Sequence, residues 1–198
     1  MIETVISSIT LMSHDKLNTL RTFYFKNYYL PSYPKIQKLF HLKSPGAVTY
    51  YINQWKEQGL ITSSKAKLMP TGKFFEFPLL GSIQAGIPTE AQEEYESVRL
   101  EPFNIKNPGD TYVLKVRGDS MQGAGIIAGD LVVLDTSLRP KNKDIIAAYI
   151  DEEWTLKYFF DQNGKIFLKA ANSNYKDIFP KRNMEIGGVV IKSIRNYK

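Results

Sequence analysis

Val48, Tyr51, Ile52 and Trp55 recur at i, i+3, i+4 and i+7, the spacing of a helix with one buried stripe. Ser44-Pro45 ahead of them reads as an N-cap followed by proline in the first turn, and Gly59 supplies a stop. The pattern predicts a helix from Pro45 to about Gln58, with Thr49, Tyr50, Asn53 and Lys56 facing out. Two earlier helices are predicted, from about Asp15 to Tyr28 (Leu17, Leu20 and Tyr24 on one face) and from Pro34 to Phe40 (Ile36, Leu39 and Phe40 apolar). Beyond Gly59, Leu60-Ile61-Thr62 and Leu68 to Phe75 can pair as strands, with Lys65 and Lys67 at or near the tip. Two helices joined by a tight turn and flanked by a hairpin predict a winged helix-turn-helix. A plain three-helix bundle with a hairpin fits the same pattern.

From Leu79 onward short apolar runs alternate with turn signals such as Asn107-Pro108-Gly109-Asp110, Ala128-Gly129-Asp130, Asp161-Gln162-Asn163-Gly164 and Gly187-Gly188. Strands are predicted over Thr111–Val116, Asp130–Asp135, Ile145–Ile150, Trp154–Phe159, Lys165–Ala170 and Val189–Ile194. The expectation is an α+β chain of two domains: residues 1–76 (three helices plus a β-hairpin) and a mostly antiparallel β domain, 77–198. The boundary falls near Phe77, after the short aromatic linker Phe74-Phe75-Glu76-Phe77.

Charge sharpens that division. The net charge is +6 over 198 residues. Residues 1–76 hold ten Lys and Arg against four Asp and Glu, whereas residues 77–198 are balanced, so the whole excess lies in the first domain. A basic module joined to a neutral one points to a polyanion such as DNA, although a lysine-rich solvated surface gives the same sum. There is no cysteine, which excludes disulfides and thiolate metal sites. Two histidines cannot build a His-rich metal centre, and neither a metal nor a cofactor is expected. The first twelve residues lack a charged start and a long apolar core, and no apolar run approaches the roughly 20 residues of a membrane span. A soluble cytoplasmic protein without membrane contact is expected.

Candidate chemistry centres on two residues. Ser120 follows Val116-Arg117-Gly118-Asp119, where a strand runs into a tight turn that can aim backbone N–H groups at one point. Lys157 lies in Trp154-Thr155-Leu156-Lys157-Tyr158-Phe159-Phe160, on the same strand face as Thr155 and Phe159. From the strand alone Lys157 is either an outward-facing residue or, if it points inward, an amine whose pKa burial lowers. A neutral amine can take a proton from a serine hydroxyl and make it a nucleophile. Upstream, Gln84-Ala85-Gly86-Ile87-Pro88 places a small-residue dipeptide in a loop, a candidate target for cleavage by the same chain.

Four segments in this order resemble the LexA-type self-cleaving repressors, a serine peptidase family shared with UmuD-type proteins and phage repressors. They are Ser44-Pro45-Gly46-Ala47 continuing to Lys56-Glu57-Gln58-Gly59-Leu60-Ile61; Gly81-Ser82-Ile83-Gln84-Ala85-Gly86-Ile87-Pro88; Gly118-Asp119-Ser120-Met121 with Gly125-Ile126-Ile127-Ala128-Gly129-Asp130; and Asp151-Glu152-Glu153-Trp154-Thr155-Leu156-Lys157. The resemblance implies a C-terminal domain of the LexA and signal-peptidase type and a cleavage loop at about residues 81–91. Ser120 would attack the carbonyl of Ala85, with neutral Lys157 as base and the N–H groups of Asp119 and Ser120 as the oxyanion hole, cutting Ala85-Gly86. It further implies a bacterial, nucleoid-associated homodimer formed through the C-terminal domain, with Val189–Ile194 at the dimer edge. Such a dimer represses DNA-damage (SOS) genes from operator DNA until RecA filament on single-stranded DNA stimulates the cut.

Base-edge contacts would come from Ser44, Gly46, Ala47, Thr49, Tyr50 and Asn53, with Lys43, Lys65 and Lys67 on phosphates. The outward face Gly46, Ala47, Thr49 and Tyr50 departs from the well-known enterobacterial pattern of an asparagine and two acidic residues. A different operator is therefore expected. A prophage or specialised repressor with another trigger, a repressor that does not self-cleave, and a protease acting on other proteins remain alternatives.

Overall fold

Alternation along the strand Ile145–Ile150 shows how the larger part of the molecule is built. Ala147 is buried in one apolar cluster with Val116, Met121, Ile126, Val132 and Leu134. Its neighbours Ile146 and Ala148 enter a second, with Ile150, Phe159, Leu168 and Val189. A strand covered on both faces needs apolar residues at every position, and Ile-Ile-Ala-Ala-Tyr-Ile supplies them.

The computed structural model describes residues 2–65, 67–80, 97–101, 105–150, 153–180 and 184–197, with backbone alone for 2–14, Leu80 and Glu153. The chain divides into two compact units, Met1–Glu76 with Arg99–Gly109, and Phe77–Val98 with Asp110–Lys198. The expected cleavage loop, with Ala85 and Gly86, lies outside the described residues.

In the first unit three helices, α1 (Ile2–Asn27), α2 (Tyr33–Leu39) and α3 (Pro45–Glu57), precede a hairpin of β1 (Ile61–Ser64) and β2 (Lys67–Pro70). Val48, Ile52 and Trp55 are buried as the helical spacing predicts, and the half-buried Tyr51 packs against Trp55. Ser44 caps α3 by accepting a hydrogen bond from Ala47 N–H. Two expectations need correction. Helix α1 starts at Ile2 rather than near Asp15, because Met1 to His14 contain no glycine or proline to stop it. The second wing strand ends at Pro70 rather than Phe75: Gly72–Phe75 forms a 3-10 turn that buries Phe74. The buried Arg21 anchors that turn, donating to the carbonyls of Phe74 (3.0 Å) and Glu76 (3.1 Å). Burial lowers the pKa of Arg21 to about 10.

The remaining strands are β3 (Glu76–Leu80), β4 (Ser97–Arg99), β5 (Thr111–Lys115), β6 (Leu131–Asp135), β7 (Ile145–Ile150), β8 (Glu153–Gln162), β9 (Lys165–Lys169) and β10 (Glu185–Ile194). They form one sheet in the order β4-β3-β5-β6-β10-β7-β8-β9. Among the pairings described, only β3 with β5 is parallel, so the sheet is mostly antiparallel and the α+β expectation holds. The last strand is longer than expected, beginning at Glu185, and its register shifts between Ile186 and Gly188 and again between Val190 and Lys192. A glycine is needed at the first irregularity: a Cβ on Gly187 would lie 2.2 Å from the ring of Trp154. The missing side chain at Gly187 thus makes room for Trp154.

Candidate active site

Strand β5 ends at Lys115, and the chain then turns through Arg117 and Gly118 to present Ser120. Gly118 has φ +74°, a left-handed conformation that glycine adopts without a Cβ penalty. Backbone bonds from Val116 N–H to Asp130 carbonyl (2.8 Å) and from Gly129 N–H to Val116 carbonyl (3.0 Å) tie the base of this turn to the start of β6. Met121, the next residue, is buried in the apolar cluster, so Ser120 cannot drift far without exposing an apolar side chain.

Strand β8 brings Lys157 to the same point. Its pairing with β7 sets Lys157 opposite Ile146, and the residue is 5% exposed. The inward alternative from the sequence is therefore the one the fold adopts. Nζ lies 2.9 Å from Ser120 Oγ, 2.6 Å from Thr155 Oγ1 and 3.0 Å from the Leu156 carbonyl. Burial lowers the Lys157 pKa, because removing water penalises the ammonium form.

The number of partners matters. An ammonium donates three hydrogen bonds, and here three acceptors surround it. A neutral amine has two N–H donors and one lone pair. Leu156 O can only accept, and Thr155 Oγ1 can accept the second hydrogen. The lone pair then faces Ser120 O–H, which is the arrangement proton abstraction requires.

A groove runs past the serine, lined by residues of β5 and its turn (Leu114 to Gly118), Ser120, Met121, Ala147 and the Trp154–Leu156 stretch of β8. Its lining is part polar and part apolar, a surface suited to a peptide. Among the described residues no cluster of His, Asp or Glu could hold a metal ion. No helix of the described residues is long and apolar enough to cross a membrane.

Comparison with known proteins gives the family. Residues 78–191 match the Peptidase S24-like family. The LexA repressor of Verrucomicrobium spinosum is 33% identical, over 96% of this chain and 98% of that protein. Those of Clostridium botulinum (36%, over 85% and 88%) and Syntrophobacter fumaroxidans (32%, over 90% and 90%) are similar in the same way. The chain belongs to the LexA-type repressors of the Peptidase S24-like family. Serine peptidase activity goes with that family.

This LexA-type repressor carries a helical unit ahead of the peptidase-like one. There the structure leaves Lys43, Ser44, Gly46, Thr49, Tyr50 and Asn53 exposed around α3, while Ala47 is half-buried. Tyr50 is 49% exposed. Two of the candidate hydroxyls already serve the helix: Ser44 as its cap, and Thr49 by donating to the Pro45 carbonyl (3.3 Å). Lys65, at φ +48°, sits at the hairpin tip, and Lys67 opens β2 opposite Ser64. Both lysines are exposed.

Three features of the LexA-type peptidase site were not singled out from sequence. Thr155 holds Lys157, and its position two residues before the lysine on the same strand face was the available signal. Asn172 and Tyr175 grip Asp119, and Arg195 grips Asp130. These partners lie 53 to 65 residues away in the chain, and no local pattern marks them.

Proposed function

We propose that this repressor is a dimeric, sequence-specific DNA-binding protein of the DNA-damage response that inactivates itself by cutting Ala85-Gly86. The reading rests above all on the 2.9 Å contact between Lys157 Nζ and Ser120 Oγ at a buried lysine. Neutral Lys157 takes the Ser120 proton as Oγ attacks the Ala85 carbonyl carbon. The N–H groups of Asp119 and Ser120 receive the developing oxyanion. The tetrahedral intermediate collapses as Lys157 returns the proton to the Gly86 nitrogen, leaving Ala85 esterified to Ser120. Water, deprotonated by Lys157, then releases the ester and restores the serine.

The basic first domain binds operator DNA through α3, while Lys43, Lys65 and Lys67 hold phosphates. Two half-sites are engaged together because the C-terminal domains pair, so separating the domains lowers operator affinity through lost effective concentration. RecA filament on single-stranded DNA acts by favouring the cut-ready position of the loop, a population shift.

The test is intact mass after incubation of the purified chain at alkaline pH. Fragments 1–85 and 86–198 from wild type, and none from Ser120→Ala or Lys157→Ala, are expected. A chain that stays whole even with RecA filament overturns the self-cleaving reading and leaves a repressor controlled by another signal.

A further inference from the structure

The loop after β9 holds the serine turn at several points, and none of them involves Ser120 or Lys157 as donor or acceptor. Gly123 N–H donates to the Ala171 carbonyl (2.7 Å). Asn172 Nδ2 donates both to the Asp119 carbonyl and to Asp119 Oδ2, each at 3.2 Å. Tyr175 O–H donates to Asp119 Oδ1. The loop is itself organised around Asn172, whose Oδ1 accepts from Asn174 N–H (3.0 Å) and whose carbonyl accepts from Tyr175 N–H (3.1 Å).

The Asp119 carbonyl is the informative contact. In a trans peptide the C=O and the following N–H point in opposite directions. Asn172 Nδ2 and Gln122 N–H (3.1 Å) both hold the Asp119 carbonyl. Holding it fixes where the Ser120 N–H points, and Asp119's carboxylate, pinned by Asn172 and Tyr175, resists rotation of the same peptide. Meanwhile the Tyr175 ring lies 5.8 Å from Lys157 Nζ, so one short loop reaches both halves of the Ser120–Lys157 pair.

We propose that Asn172 and Tyr175 are positioning residues of the peptidase site, acting through Asp119 to aim the Ser120 peptide at the oxyanion of an acyl-transfer reaction. This rests on the serine–lysine reading above. A proton acceptor can be correctly tuned and the site still be slow if the N–H group is misdirected, since preorganised donors count only where the charge develops.

The experiment compares wild type with Asn172→Ala, Tyr175→Phe, Asp119→Ala and the double variants Asn172→Ala/Asp119→Ala and Tyr175→Phe/Asp119→Ala. Two rates are read across pH by intact mass. One is self-cleavage. The other is phosphonylation by a fluorophosphonate, in which Ser120 Oγ bonds to phosphorus, fluoride leaves and the serine proton passes to Lys157. Thermal melts verify folding, and Tyr175→Phe, which keeps the ring, is the conservative variant.

The expected result is that each single variant lowers the high-pH plateau of both rates about tenfold to a hundredfold. The pH midpoint should stay where wild type has it, and Tyr175→Phe/Asp119→Ala should be no slower than Asp119→Ala alone, whereas Asn172→Ala/Asp119→Ala should be slower, because Asn172 still holds the Asp119 carbonyl when the carboxylate is gone. A midpoint moved toward the ordinary lysine value would mean general loosening that hydrates Lys157, and it overturns the proposal. So do wild-type plateaus in the single variants, losses that multiply in Tyr175→Phe/Asp119→Ala, or an Asn172→Ala/Asp119→Ala double no slower than Asp119→Ala. If wild type is phosphonylated but does not cut itself, the self-cleavage reading fails and the labelling rates alone decide the positioning role. If wild type does neither, both fall.

Discussion

Arg195 and Asp130 are joined by two hydrogen bonds, Nε to Oδ1 and Nη2 to Oδ2, each 2.6 Å, across 65 residues of chain. The carboxylate is 3% exposed and also accepts from Ile127 N–H at 2.9 Å, while Arg195 Nη2 reaches the Gly125 carbonyl at 2.7 Å. The residue just after β10 therefore braces the turn between Ser120 and β6. The Arg195 hydrogen bonds hold the Asp130 pKa below its ordinary value. A carboxylate with a depressed folded pKa contributes stability that is present above the unfolded value of about 3.9 and is lost as pH falls through the folded value. Urea unfolding followed from pH 5 to pH 2 should show wild type losing more stability than Arg195→Gln. Parallel curves would remove the pair from the account.

Lys157 carries the opposite cost. Its folded pKa lies below the ordinary 10.5 because the folded chain buries it. The unfolded chain thus binds more protons between the folded value and 10.5, and stability rises with pH across that window. At pH 7 Lys157→Met should unfold at higher denaturant than wild type, and its advantage should shrink by pH 10. An unchanged midpoint at both pH values would show that burial does not penalise this lysine.

Thr155 gives Nζ its 2.6 Å partner. Thr155→Val keeps the shape and removes the acceptor, so the neutral amine loses one of the two bonds that turn its lone pair toward Ser120. Self-cleavage should slow by about tenfold to a hundredfold, with Thr155→Ser restoring most of it. An unaffected rate would mean that Leu156 carbonyl alone orients the lysine.

How much of this was legible in the sequence differs by element. The buried stripe Val48, Ile52 and Trp55 was, because helical periodicity and the Ser44-Pro45 cap agree. The strands on either side of Asp161-Gln162-Asn163-Gly164 were, because a turn with two left-handed residues, Asn163 and Gly164, needs those residue types. Inward Lys157 was readable only as one of two options, since strand parity gives its partners on that face but not which face is covered. The 3-10 turn at Gly72–Phe75 read as strand because Phe74 and Phe75 have strand propensity, whereas burial of Phe74 decides the outcome. The Asn172–Asp119–Tyr175 clasp and the Arg195–Asp130 pair were not legible: polar residues that meet only after the sheet closes leave no periodic trace.

Gly187 offers a packing test. A methyl group there would meet the Trp154 ring at 2.2 Å, where only displacement of the ring relieves the overlap. Gly187→Ala should destabilise the chain by about 1–3 kcal/mol in chemical denaturation. It should also change Trp154 fluorescence, read in a Trp55→Phe background. A neutral effect on both would place the ring elsewhere.

On the DNA side, Lys65 and Lys67 are exposed on the hairpin and Tyr50 on α3. Lys65→Ala should weaken operator binding evenly across sequences and reduce the slope of log affinity against log salt by about 1. Tyr50→Ala should instead change which bases are preferred. Fluorescence anisotropy on an operator and its single-base variants, at several salt concentrations, separates the two. A salt slope unchanged by Lys65→Ala would take the wing off the phosphates.

The central claim is that a buried, neutral Lys157 activates Ser120 against the chain's own loop. The most direct measurement is the rate of self-cleavage as a function of both pH and protein concentration, by intact mass. The account predicts a first-order rate that is independent of concentration and rises through a single ionisation below 10.5, where Lys157 loses its proton. It predicts no cleavage in Lys157→Met. A rate that scales with concentration, or one that survives the loss of Lys157, would contradict it.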